Sequence, residues 1–244
     1  GGFLAGNDIK YIKKTVGALP SILKGSKFTK ALYIDLLAML FEILAKVRKE
    51  GLMSIEADVE DPHASPIFGK YPTLQNDHHV MEFITDYLRM MVGGNLNTVE
   101  IESLMDMEIE THHHEVEVPG HVVSKVADGV PAFGIVVAVM GVVNVMGSVG
   151  QPPAVLGKMI GGALVGTFLG ILISYGFVAP VASLLEQKSH ESSKIYQCIK
   201  VVLLASMSGY APQVAVEFGR KVLESGVRPS FRELEEELKA RKGK

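Results

Sequence analysis

Chemistry needs side chains that titrate, attack or ligate, and this chain gathers few of them in one place. The densest group is His112, His113 and His114, with Glu115, Glu117 and His121 close behind. Adjacent histidines on a helix point in different directions, whereas a ligand pair needs i, i+4 spacing or similar. No second ligand cluster accompanies the run, so it reads as solvated surface and not as a metal centre. The single cysteine, Cys198, excludes an internal disulfide. It reads as a small buried residue in a reducing compartment. No Gly-rich phosphate loop, nucleophile elbow or cysteine pair is present. No catalytic residue, metal or cofactor is therefore expected, and the chain does not read as an enzyme. A net charge of -3 over 244 residues gives no basic surplus for nucleic acid.

The informative chemistry lies in what one long stretch lacks. From Gly129 to Leu185 the only charged residue is Lys158. The Gly/Pro-rich segment GSVGQPPAVLG, Gly147 to Gly157, divides this stretch into Val130–Met146 and Met159–Leu185. A bilayer core takes about 20 apolar residues in helix. The second segment spans comfortably, and the first spans if its ends extend to Asp128 and Val149. Lysines and arginines crowd both flanks, from Lys10 to Lys49 and from Lys188 onward, while the linker offers one lysine. Positive residues stay on the cytoplasmic side, so both flanks are expected there and the linker outside.

Ionisable residues within a membrane usually mark an ion path. Neither span has an interior Asp, Glu, His or Arg, and Asp128 sits at the edge. Asn144, Thr167 and Ser174 remain, and none of these can carry a proton at neutral pH. If the protein helps conduct protons, the titrating carboxylate must come from another chain. Gly162, Gly166 and Gly170 recur at i, i+4, i+8 and make a smooth face for close helix packing. Gly134, Ala138 and Gly141 do similarly in the first span. Such faces serve a hairpin within the subunit or contacts with other subunits. Pro131 and Pro180 bracket the hairpin, either as helix punctuation or as hinges.

Elements that position these residues are helical throughout. Leu32, Leu36, Leu40, Ile43, Leu44 and Val47 follow helix spacing over Phe28–Lys49, and Val80, Phe83, Ile84, Tyr87, Leu88 and Met91 repeat it. Asn97 and Glu100, then Ser230 and Glu233, sit at capping-box spacing. Three prolines make 61–72 a loop, and GYAP at 209–212 breaks the helix after the spans. The chain begins with Gly1, not Met, and GGFLAGN reads as the tail of an apolar helix whose upstream part is missing. The expected fold is all-α, an integral membrane protein with a transmembrane hairpin and a helical cytoplasmic domain. Its expected divisions are 1–8 (end of an upstream transmembrane helix), 9–127 (cytoplasmic), 128–149 (transmembrane), 150–158 (periplasmic loop), 159–185 (transmembrane) and 186–244 (cytoplasmic).

Several segments carry a family resemblance. SKFTKALYIDLLAML, AKVRKEGLMSIE, DYLRMMVGGNLNTVEIESLMDMEIETH, VPAFGIVVAVMGVV, LVGTFLGILISYGF and GYAPQVAVEFGRK resemble the MotA family of flagellar stator proteins along the length of the chain. The span motif alone also admits the wider MotA/TolQ/ExbB proton channel group; the cytoplasmic motifs are more specific. The resemblance implies a subunit that, with MotB, forms a proton-conducting, torque-generating complex in the bacterial inner membrane. It also implies a pentameric ring around a MotB dimer, contact with the rotor protein FliG, and two further spans upstream of Gly1. Arg48, Glu56 and Glu108 resemble the family's rotor-facing charges. Pro131 and Pro180 match prolines tied to conformational coupling, and Thr167 matches a threonine lining the ion path. Ala138 stands where sodium-driven relatives carry threonine, which fits the proton-driven branch, since a hydroxyl oxygen suits sodium. Two rival functions remain: an energiser of outer-membrane transport of the ExbB/TolQ kind, and a membrane scaffold with no ion flux.

Overall fold

The computed structural model describes residues 6–94 and 97–242. Among these residues the chain is helical and has no strand. The expectation for 1–8 falls mostly on residues 1–5, which lie outside the described residues. The chain divides into two units. One takes the chain up to Gly25 together with His114–Ser189; the other takes Ser26–His113 with His190–Lys244.

In the second unit, helix α2 (Lys30–Glu50) follows the short α1 (Ile9–Ala18) of the first unit in chain order. Helix α2 starts because the Thr29 hydroxyl accepts from the Leu32 amide and satisfies one orphan donor. It stops at Gly51, whose φ of 88° suits glycine alone. Its residues Leu36 through Leu40, with Ile43 and Leu44, are enclosed, so α2 is the axis of this unit's core. Short α3 (Glu56–Glu60), α4 (Pro72–Gln75) and then α5 (His78–Gly93) pack around it. The segment expected as a loop at 61–72 contains a 3-10 turn, Phe68–Lys70, and gives way to α4 at Pro72; it is held from within. Ser65 donates to Asp58 at 2.6 Å while accepting from the Ile67 and Phe68 amides.

The third expected helix is present, with the reciprocal Asn97–Glu100 cap at 2.8 and 2.9 Å. It does not stop before the apolar segment: α6 runs unbroken over Thr98–Met146, with Pro119 and Pro131 inside it. No backbone boundary falls at 127/128: a proline inside a helix can kink it without ending it. The turn after α6 is shorter than the 150–158 expected, since α7 begins at Pro153 and extends to Ile173. Proline at the first helical position fits a helix start, and Lys158 consequently lies within α7. A π-helical segment, Ser174–Val178, joins α7 to α8 (Ala179–Met207). Helices α9 (Pro212–Val222) and α10 (Phe231–Lys242) close the second unit. A Cβ at Gly219 would meet the side chains of Val202, Leu37 and Cys198, so this glycine lets α9 approach α2 and α8 closely. Helix α10 is fastened by Arg241, which pairs with Asp35 at 2.8 Å and lies over the Tyr71 ring.

Candidate functional site

The apolar parts of α6 and α7 form an antiparallel hairpin, and glycine sets its spacing. A Cβ on Gly134 would come 2.9 Å from the Gly166 carbonyl oxygen. One on Gly170 would come 3.2 Å from both the Gly134 Cα and the Val130 carbonyl. Gly166 takes the Val137 side chain, and Gly141 faces Ala163. Backbone touching backbone in this way needs residues without side chains. Gly162 is different: nothing lies within 4 Å of a Cβ built there. Ala163 takes the packed place one residue on, so the buried face of α7 runs through Ala163, Gly166 and Gly170.

Away from this seam the apolar side chains stand open. Phe133 is 68% exposed and Met140 69%. The most apolar 18-residue windows of the two long helical stretches are only 11% and 22% buried. The core helix of a soluble protein would be mostly enclosed; large exposed apolar surfaces signal lipid or partner subunits.

Within the hairpin, the Thr167 hydroxyl donates to the Gly134 carbonyl at 3.3 Å. Ala138 and Pro131 are half-buried, and Pro180 is exposed. Pro180 is the second residue of α8, directly after the π-helical segment. Ser174, fully buried, donates to the Ala127 carbonyl of α6 at 2.5 Å. In sequence Ser174 stands only as a polar span residue able to hydrogen-bond a neighbour or a water, and neither the π segment nor the role of Pro119 is visible there.

The charged candidates occupy the second unit, each on a different element. Arg48 is exposed near the end of α2 and donates to the Gly209 carbonyl at 3.3 Å. Glu56 is exposed and opens α3. Helix α3 is pinned against α2 by Lys46 and Asp58 at 2.7 Å, with Asp58 only 3% exposed. Glu108, on α6, is exposed and accepts from the Tyr87 hydroxyl at 2.7 Å. Burial chiefly, and this carboxylate secondarily, push the Tyr87 phenol up.

The histidine run departs from the expected solvated surface. His114 is exposed, but His112 and His113 are half-buried. The His112 ring lies 4.5 Å from that of Tyr196, and His113 Nδ1 lies 3.0 Å from the Ser193 hydroxyl. Both contacts are with α8, which runs alongside α6 and covers two of the three.

A family model described as Motility protein A N-terminal matches residues 1–51, and one described as MotA/TolQ/ExbB proton channel family matches residues 75–198. Motility protein A of Escherichia coli (strain K12) is 55% identical over 240 residues, covering 98% of this chain and 81% of that protein. Chemotaxis protein LafT of Vibrio parahaemolyticus is 30% identical over 243 residues, covering 100% of this chain and 85% of that protein. The solved flagellar MotAB stator complex from Bacillus subtilis is 26% identical, with a TM-score of 0.66 over 88% of this chain and 76% of that one. C. jejuni MotAB shares the fold, with a TM-score of 0.70 at 19% identity over 91% of this chain and 79% of that one.

Proposed function

Since this chain belongs to the motility protein A branch of the MotA/TolQ/ExbB proton channel family, we propose that it is the stator subunit that turns proton flow into flagellar rotation. Its partner is a MotB chain, and five copies encircle a MotB dimer in the inner membrane. The hairpin spans the bilayer with its short turn in the periplasm. The second unit lies in the cytoplasm and presents Arg48, Glu56 and Glu108 to FliG.

The observation that carries this reading is the hairpin: apolar and open on its outer faces, glycine-packed along its seam, and free of acids between Gly129 and Leu185. A channel wall of this kind can shape an ion path but cannot bind the proton. The binding carboxylate belongs to MotB. Holding that carboxylate ionised in a poorly solvated site costs several kcal/mol, and protonation removes the cost. Swinging two packings from 1:99 to 99:1 takes about 5.5 kcal/mol. A proton shifts that balance only by the difference in this cost between the two packings, so a site that is dry in one packing and wet in the other lets one protonation switch the surrounding helices. Thr167 and Ala138 flank the path, and Pro131 and Pro180 let the helices flex. Ala138 offers no hydroxyl to coordinate sodium, which fits proton use.

Deleting the gene and restoring it tests the reading. Loss of swimming, with outer-membrane transport intact, is the expected result. Normal swimming with impaired transport would favour the energiser alternative. A proton leak on co-expression with MotB whose plug has been removed separates a conducting stator from a scaffold.

A further inference from the structure

Pro131 lacks an N–H, so the carbonyl four residues earlier in its helix, that of Ala127, loses its i+4 donor. Ala127 is 3% exposed, and an unpaired buried carbonyl is costly. The Ser174 hydroxyl, reaching across from the other arm of the hairpin, donates to that very carbonyl. The carbonyl freed by Pro119 is also met by a side chain from another helix, though at an exposed position: the Lys14 ammonium donates to the Glu115 carbonyl, four residues before it, at 2.6 Å. Ser174 is also the first residue of the π-helical segment. The Ala179 amide donates back to the Ser174 carbonyl, five residues away. Pro180 follows at once. A single residue thus meets the first proline break through its side chain and holds, through its carbonyl, the amide of the residue just before the second proline.

We propose that Ser174 is a positioning residue that couples Pro131 to Pro180, so that the two breaks flex as one hinge. This role rests on the stator reading given above. If Ala127 turns away from Ser174, its carbonyl loses a donor, and the π segment loses the anchor that fixes its register. Flexing at Pro131 is therefore transmitted to the start of α8 through one hydrogen bond. π segments inside helices recur at functional hinges, and this one begins at the residue that makes the bond.

The test is a double-mutant cycle on the full-length protein purified with its MotB partner. Ser174→Ala is expected to lower the thermal midpoint by several degrees. Pro131→Ala restores an N–H for the Ala127 carbonyl, so adding Ser174→Ala to it should produce little or no further drop. An equal drop in both backgrounds would show that the hydroxyl does not serve this carbonyl, and the proposal would fall. Rotation speed of tethered cells supplies the second readout, with membrane amounts matched. Ser174→Thr, which keeps a hydroxyl, should rotate at least twofold faster than its isostere Ser174→Val. Equal speeds would leave the bond as packing only and overturn the hinge role. Should the unmutated gene fail to restore swimming to a deletion strain, the stator reading itself fails, and the thermal cycle still decides whether the bond exists.

Discussion

Cys198 has no exposed surface, and burial pushes its thiol up to about 12. The shift is upward, so the contribution of the protonated thiol to stability is complete below the unfolded value near 9. It is lost as the pH climbs toward the folded value. At pH 8 native Cys198 should therefore react with iodoacetamide roughly 100-fold or more slower than in denaturant. Equal rates would contradict the packing of Gly219, Leu37 and Val202 around it. Glu233 shifts the other way, to about 2, held by the Lys30 ammonium first and then by the Ser230 amide and hydroxyl. Its contribution is present above the unfolded value near 4.5 and fades as the pH falls toward 2. Amide exchange in α10 at matched intrinsic rates should consequently rise over that window. A Glu233→Gln chain, which keeps the cap geometry but loses the charge, should show a flatter response.

At the scale of elements, the hairpin makes a sharp distinction among glycines that look alike in sequence. Gly134→Ala pushes a methyl into the Gly166 carbonyl, and Gly170→Ala pushes one into the Gly134 backbone. Neither obstacle is a side chain that can swing away. Both changes should lower the thermal midpoint and the amount of assembled complex, at about 1–3 kcal/mol for an overpacked contact. Gly166→Leu meets Val137 and should abolish assembly or rotation. Gly162→Ala meets nothing within this chain and should leave the hairpin intact. If Gly162→Leu nevertheless blocks the complex, that face of α7 packs on another subunit; normal complex and swimming would assign it to lipid. Pro131→Leu and Pro180→Leu should leave the protein in the membrane fraction but stop rotation, because neither makes a span less apolar. Loss from the membrane would show that the prolines serve folding.

At the scale of the whole molecule, the stator function proposed above has torque leave through charges on the second unit. Arg48→Glu and Glu56→Lys should slow swimming, and matched charge reversals on FliG should partly restore it. Exposed pairs contribute only about 0.2–1 kcal/mol each, so neutralisations should be mild and reversals worse. Absence of rescue across the full set would remove the electrostatic role from these residues and leave the proton-path argument standing. Asp58 offers a control with a larger effect. It is enclosed, and it ties α3 to α2 through Lys46 and Ser65. Asp58→Ala should destabilise this unit by about 3 kcal/mol and displace Glu56 without touching its charge. Composition and periodicity alone determined the all-α class, the two long apolar helices, the absence of an internal acid, and the caps at Asn97 and Ser230. These depend on neighbours within a few residues, or on the bulk cost of placing charge in lipid. The continuity of α6 through two prolines, the open side at Gly162, the covering of His112 and His113, and the Ser174–Ala127 bond were settled only in three dimensions. Each depends on which residue of one helix faces which residue of another. That register is set by side-chain volumes and freed carbonyls on both partners at once, and no local pattern in a single helix encodes it.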